Sequence, residues 1–138
     1  MEAETVAVAL RWFEEVWNLR RDETIDELLT DDSVCHADDG PAYGPDDFRK
    51  RLYRPLLAGF PDIRVRVEGT VAQGDQVVVR WTAFGVHGGD GLGFPATRET
   101  ACFRGLTWIR IRDGKLLEAW QNSNIPEVLR TLAAKASL

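Results

Sequence analysis

The apolar positions change period along the chain, and each change marks a new kind of element. From Ala3 to Leu19, Val6, Leu10, Phe13 and Trp17 recur at spacings of four, three and four, which puts them on one face of a helix. Arg11 and Glu15 stand one helical turn apart on another face. A second, shorter helix is expected from about Asp22 to Leu29. Ile25, Leu28 and Leu29 give it an apolar side, and Thr24-x-x-Glu27 has the spacing of a capping box. Asp31 to Gly44 is polar and irregular, with Val34 and His36 spaced as on a short strand. A third helix opens at Gly44-Pro45, with proline at its first position. Phe48, Leu52 and Leu56 mark its buried side. Pro55 is expected to kink it, and Gly59 with Pro61 to end it.

After Phe60-Pro61-Asp62 the period falls to two. Ile63, Val65 and Val67 alternate with Arg64, Arg66 and Glu68, the pattern of a half-buried strand. Gly74-Asp75 turns it into a second strand, Gln76 to His87. A glycine-rich loop, Gly88 to Pro95, leads to a third strand from about Thr97 to Ile111. Asp113-Gly114 is a hairpin turn, and a fourth strand, Lys115 to Asn122, runs into an apolar helix, Ile125–Leu138. Three helices, four strands and a helix predict one α+β domain over residues 1–138. Its sheet is expected to be four-stranded, antiparallel and strongly curved, because long strands twist. It forms a cone or barrel closed by the N-terminal helices, with a C-terminal helix. The inside of such a cone is a ligand pocket. The stretch Asp113 to Asn124, a strand reaching a tryptophan and then a polar corner, is where that pocket is placed.

Composition narrows the function classes. The chain has 138 residues, 44% hydrophobic, enough for a single core. Its net charge of -5 argues against nucleic acid and anionic membrane as partners. There is no apolar run of the ~18 residues that a membrane helix needs. The start, Met1-Glu2-Ala3-Glu4, is acidic and unlike a secretory leader, so a cytoplasmic location is expected. Cys35 and Cys102 fit reduced thiols.

His36 and His87 are the acid–base candidates near neutral pH. The alternative is a surface histidine and a strand-end histidine making structural hydrogen bonds. Cys35 and His36 are adjacent and no CxxC, HxxxH or HxH occurs, so no metal is expected. The loop from Gly85 to Gly93 lacks the GK[ST] ending of a phosphate loop and leads into a strand. It reads as a connection at the pocket mouth. No GxSxG elbow occurs. Glu118, two residues before Trp120, shares its face. Five tryptophans suit either an apolar core or the walls of a flat aromatic site.

Several short motifs fall in order: Glu15-Val16-Trp17-Asn18, His36 followed by Gly44, Phe60-Pro61-Asp62, Arg80-Trp81-Thr82, Gly85-x-His87-x-Gly89, and Asp113-Gly114-Lys115 with Glu118-x-Trp120. Together they resemble the SnoaL-like polyketide cyclases, within the wider group of scytalone-dehydratase-like cone folds. The resemblance covers nearly the whole chain. It implies a small α+β barrel, a dimer or tetramer of like chains, with an apolar pocket, a small hydrophobic aromatic substrate and no metal or organic cofactor.

Members of that family close a ring of an anthracycline precursor by an intramolecular aldol reaction. There, an aspartate four residues after the position of Trp120 is the general acid–base, and a glutamine and a histidine on the preceding strand help bind the enolate. In this chain those positions hold Asn124, Gly105 and Thr107. An amide cannot shuttle a proton as a carboxylate does. Asn124-x-x-Glu127 also has the form of a helix N-cap, and a residue there can donate to an oxyanion.

The favoured expectation is therefore a cofactor-free hydroxylase of a polycyclic phenolic polyketide, resembling such members of the family. It would work with a reductase partner where the substrate must first be reduced. Asn124, His87 and His36 are the expected catalytic residues. Trp17, Phe60, Arg80, Phe84, Gly105, Thr107, Trp108 and Trp120 are the expected substrate contacts. A cyclase or isomerase with a histidine base, and a non-catalytic binding protein of the same fold, are the alternatives.

Overall fold

The computed structural model describes residues 2–137. Helix α1 (Glu2–Arg11) runs on into a π-helical stretch, Trp12–Asn18. Trp12, Phe13, Val16 and Trp17 all lie on its buried side. Helix α2 (Asp22–Leu28) starts two residues before Thr24, so the capping box does not form. Thr24 is fully buried instead, and its hydroxyl donates to Glu15 Oε1 at 2.7 Å. Helix α3 (Gly44–Phe48) continues through a second π stretch, Arg49–Tyr53, into α4 (Arg54–Gly59). Pro55 thereby falls in the first turn of α4, where no N–H is required. Arg49 is buried and ties this assembly to α2, its guanidinium donating to Asp22 and Asp26 at 2.7–3.0 Å. Both carboxylates are accessible, so the charge sits at a wet edge rather than in a dry core.

The sheet differs from expectation. It has six strands rather than four, is mixed rather than antiparallel, and stays open. β1 (Val34–Ala37) and β2 (Gly40–Tyr43) form a hairpin around Asp38-Asp39. β3 (Arg64–Gln73), β4 (Gln76–Val86), β5 (Thr100–Arg112) and β6 (Lys115–Ser123) are the long antiparallel strands. The order is β2-β1-β6-β5-β4-β3, and β1 lies parallel to β6, with His36 opposite Trp120. Strands of only four residues, the first uniformly half-buried, have too little alternation to announce them, which is why this hairpin escapes a period-two reading. Asp113 and Gly114 both have positive φ (53° and 74°), as a tight two-residue hairpin between right-twisted strands demands.

One face of the sheet carries the core. Along β5, Ala101, Phe103, Thr107, Ile109 and Ile111 are buried under the helices, while Arg104, Leu106 and Trp108 between them face outward. Irregularities at Val67/Gly69 and Arg110/Ile111 shift the register of the β3–β4 and β5–β6 pairs. Helix α5 (Ile125–Ala136) follows β6 directly. The glycine loop after β4 lies flush on the end of α4. Gly88 and Gly89 donate to Gly59 O at 3.0 and 3.3 Å, and a Cβ at Gly89 would stand 1.9 Å from Ala58 O. None of the described helices is long and apolar enough to cross a membrane.

Candidate active site at the mouth of the cone

Two small cavities lie between the helices and the covered face of the sheet. One, of about 40 Å³, is bounded by Trp12, Thr107, Cys35 and Ala119; the other, of about 30 Å³, by Trp81, Phe103 and Ile63. Phe13, Trp17, Leu52 and Gln121 line both, so the two are chambers of one interior. Trp81 sets its shape. The indole lies over Gly105, its partner across β4 and β5, and a Cβ there would be 2.3 Å from the ring. Its Nε1–H donates to Thr107 Oγ1 at 2.9 Å, which satisfies two buried polar groups at once. Burial, with Asp38 and Asp39 nearby, pushes the Cys35 thiol up to about 11.

The interior opens on a groove of about 340 Å³ between α4, α5 and the β1–β2 turn. Leu52, Leu56, Gln121 and Ile125 belong to both the interior and this groove. Leu92, from the glycine loop, sits over Gly59 and forms part of the groove's apolar wall. Its polar groups are the carboxylates Asp38 and Asp39 and the guanidiniums Arg51 and Arg130. Asp38 is fixed from β6. Its Oδ1 accepts the Ser123 N–H at 2.9 Å, and its Oδ2 accepts Ser123 Oγ–H at 2.5 Å and a Gln121 Nε2–H at 3.3 Å. A carboxylate is thus held beside the side chain that bridges mouth and interior.

The profile of the SnoaL-like polyketide cyclases matches residues 7–132. The chain belongs to that family. Solved structures agree with the assignment. A protein of Jannaschia sp. CCS1, provisionally described as a SnoaL-like polyketide cyclase, is 26% identical over 96% of this chain and 94% of its own, with a TM-score of 0.82. AclR from Streptomyces galilaeus, provisionally described as a hydroxylase, is 25% identical over 97% and 98%, also with a TM-score of 0.82. IdmH from Streptomyces antibioticus, provisionally described as a polyketide cyclase, is 25% identical over 97% and 99%, with a TM-score of 0.76. A search of curated proteins returns no match.

In this SnoaL-like chain the residues singled out by sequence divide between the two faces of the sheet. Trp17, Gly105 and Thr107 reach the interior. Phe60 is core, packed edge-on to Phe103 at 5.1 Å. Arg80, Phe84, Trp108 and Trp120 lie on the open face. Trp108 is 49% exposed and pairs with Trp120, and the Phe84 ring lies under the Arg66 guanidinium at 5.8 Å. His36 is there too, stacked on Trp120 at 5.6 Å with its Nε2 2.7 Å from Glu118 Oε2.

His87 is fully buried between Phe60 and Phe94, at ring distances of 5.5 and 5.1 Å. Its Nδ1 accepts the Thr97 N–H at 3.0 Å, which assigns the ring proton to Nε2, an atom with no hydrogen-bond partner. It bounds neither the interior nor the mouth and anchors the return of the glycine loop.

Asn124 does not face the interior either. Its Oδ1 accepts the Arg104 N–H at 2.7 Å, extending the β5–β6 ladder, and its side chain borders an outer groove between β5 and α5. It holds the N-cap position of α5 without capping by its side chain; Ser123 Oγ accepts the Ile125 N–H instead, at 3.1 Å. Sequence reasoning passed over Asp38 and Gln121 because their meeting depends on the parallel β1–β6 pair. Among the described residues no three His, Cys, Asp or Glu side chains group as a metal site would require.

Proposed function

We propose that this protein is a cofactor-free acid–base enzyme acting on a polyketide-type carbonyl compound at the mouth of the cone, with intramolecular aldol ring closure as the reaction. The observation that carries this reading is the Asp38 carboxylate, fixed by Ser123 and Gln121 where the groove meets the interior. Asp38 takes a proton from the carbon next to a carbonyl. The resulting enolate carbon attacks a second carbonyl of the same molecule, forming a carbon–carbon bond. The new alkoxide then recovers the proton from Asp38. The Gln121 amide gives one N–H to Asp38 and has a second to offer the developing oxyanion. Arg51 and Arg130 supply positive charge at the same opening. The test is turnover of a poly-β-ketone aldehyde by wild type and Asp38→Asn. An amide cannot carry the proton, so wild-type rates in the variant remove Asp38 from the reaction.

A second reading, hydroxylation of an ionised phenol, is supported by the likeness to AclR. It draws on Arg51 and Arg130 to hold the phenolate rather than on Asn124, and it consumes oxygen and a reductant. Incubation with reduced naphthoquinones and anthraquinones under labelled oxygen separates the two. Label in the product supports hydroxylation; ring closure without label supports the cyclase.

A further inference from the structure

We infer that Trp81, laid across Gly105 and held by Thr107, determines the size of the substrate and restricts it to one or two rings that stay in the mouth. This rests on the reading that the groove beside Asp38 is the active site. The interior chambers measure about 40 and 30 Å³. A dry cavity that admits a single benzene is on the order of 150 Å³, whereas a water needs only ~10–15 Å³. Neither chamber therefore takes an aromatic ring; each takes water or a small head group. The mouth, at about 340 Å³, is in contact with both Asp38 and the interior.

What closes the interior is identifiable. Gly105 and Thr107 both face inward, and neither has bulk to fill the space. The Trp81 indole does so, occupying the volume in which a side chain at 105 would stand. The hydrogen bond from Nε1 to Thr107 Oγ1 fixes the ring, and Trp81 is only 5% exposed, so the closure belongs to the packed core rather than to a mobile surface group. Trp81 also borders the chamber that shares Leu56, Gln121 and Ile125 with the mouth. A ring system too large for the mouth would have to enter this chamber, and there it meets the indole.

The test uses a graded series with a common anionic head that Arg51 and Arg130 can hold: benzoate, 2-naphthoate and anthracene-2-carboxylate, with binding measured by calorimetry. Wild type is expected to bind 2-naphthoate more tightly than either neighbour in the series. In Trp81→Val the preference for anthracene-2-carboxylate over 2-naphthoate is expected to rise at least tenfold. A change that only loosened the fold would weaken both ligands together. Trp81→Phe keeps an aromatic core and is expected to shift the same ratio by a smaller factor, so a Trp81→Val chain that fails to fold leaves the proposal exposed to refutation.

An unchanged ratio in folded variants overturns it. So does wild type that binds the three-ring probe as well as the two-ring probe, or that binds none of the three. Asp38→Asn keeps the size ranking while losing turnover. If it keeps turnover, the reading of Asp38 fails and the size ranking is unaffected.

Discussion

Two polar clusters are built from the same pair of strands, and only one of them reaches the mouth groove. On the open face, His36 from β1 hydrogen-bonds Glu118 and stacks on Trp120 from β6. At the mouth, Asp38 from the turn after β1 is held by Gln121 and Ser123, also from β6. In composition the first is the better acid–base site, with a histidine, a carboxylate and an aromatic platform. Position reverses the ranking. Adjacent residues of a strand point to opposite faces, so the single step from Trp120 to Gln121 separates solvent from the interior. Chemistry read from residue types alone selects the cluster on the open face. The strand's parity selects the other.

The sharpest way to break this comparison is to remove one member of each cluster. Asp38→Asn is expected to lower turnover at least ~100-fold, the usual scale of a positioned general acid–base, with the substrate KM changed little. His36→Ala is expected to leave turnover within about twofold. Steady-state kinetics on the two variants decides it, and the reverse result would move the active site to the open face. Next in size is a comparison of two tryptophans on opposite faces. Trp81→Ala empties a packed interior position and is expected to cost ~3–5 kcal/mol of stability. Trp108, half exposed with its indole N–H donating to Gln76, is expected to cost ~1 kcal/mol or less on the same change. Urea midpoints at constant slope measure both. Equal losses would mean that the open face is covered in solution.

Much of this division was written in the sequence, and some of it was readable. Along β5 the odd positions from Ala101 to Ile111 are apolar or small, while Arg104, Arg110 and Arg112 share the even positions with Trp108. That alternation already places Trp108 outside, whatever the suitability of an indole as a ligand wall. The long elements were legible for the same reason, since ten or more residues of steady period outvote local noise. The β1–β2 hairpin was not, and with it went the parallel pairing that brings Asp38 to Gln121 and Ser123 across 83 and 85 positions of sequence. The motif set named the family correctly, but its aspartate position led to Asn124, whose side-chain oxygen accepts the backbone N–H of Arg104. Nothing local in the sequence distinguishes Asp38 from Asp39 beside it.

The two cysteines carry the comparison to a smaller scale. Cys35 borders the interior and its thiol is pushed up to about 11, chiefly by burial; Cys102 is exposed. Above the ordinary thiol value of 9.0 the unfolded chain gives up this proton, while the folded chain keeps it until about 11. The native state then binds more protons than the unfolded one, so stability falls as pH rises through that window, by roughly 2–3 kcal/mol in all. Cys35→Ala is expected to remove that part of the pH dependence, seen as the difference between the two urea-stability profiles from pH 8 to 11. Alkylation at pH 8 is expected to label Cys102 first.

The smallest effect is expected at the His36–Glu118 pair, and its smallness is the point. Both side chains are about a third exposed (39% and 31%), so water and salt screen the contact, and even with the imidazole protonated an exposed pair of this kind is worth ~0–1 kcal/mol. A double-mutant cycle with His36→Ala and Glu118→Gln is expected to return a coupling within that range that shrinks with added salt. Stacking on Trp120 survives in Glu118→Gln and is lost in His36→Ala, so the cycle isolates the polar contact from the aromatic one. A coupling well above ~1 kcal/mol that persists in high salt would mean that the pair is desolvated in solution. The open face would then be buried against another surface, and the contrast between a working mouth and a solvated outer cluster would not hold.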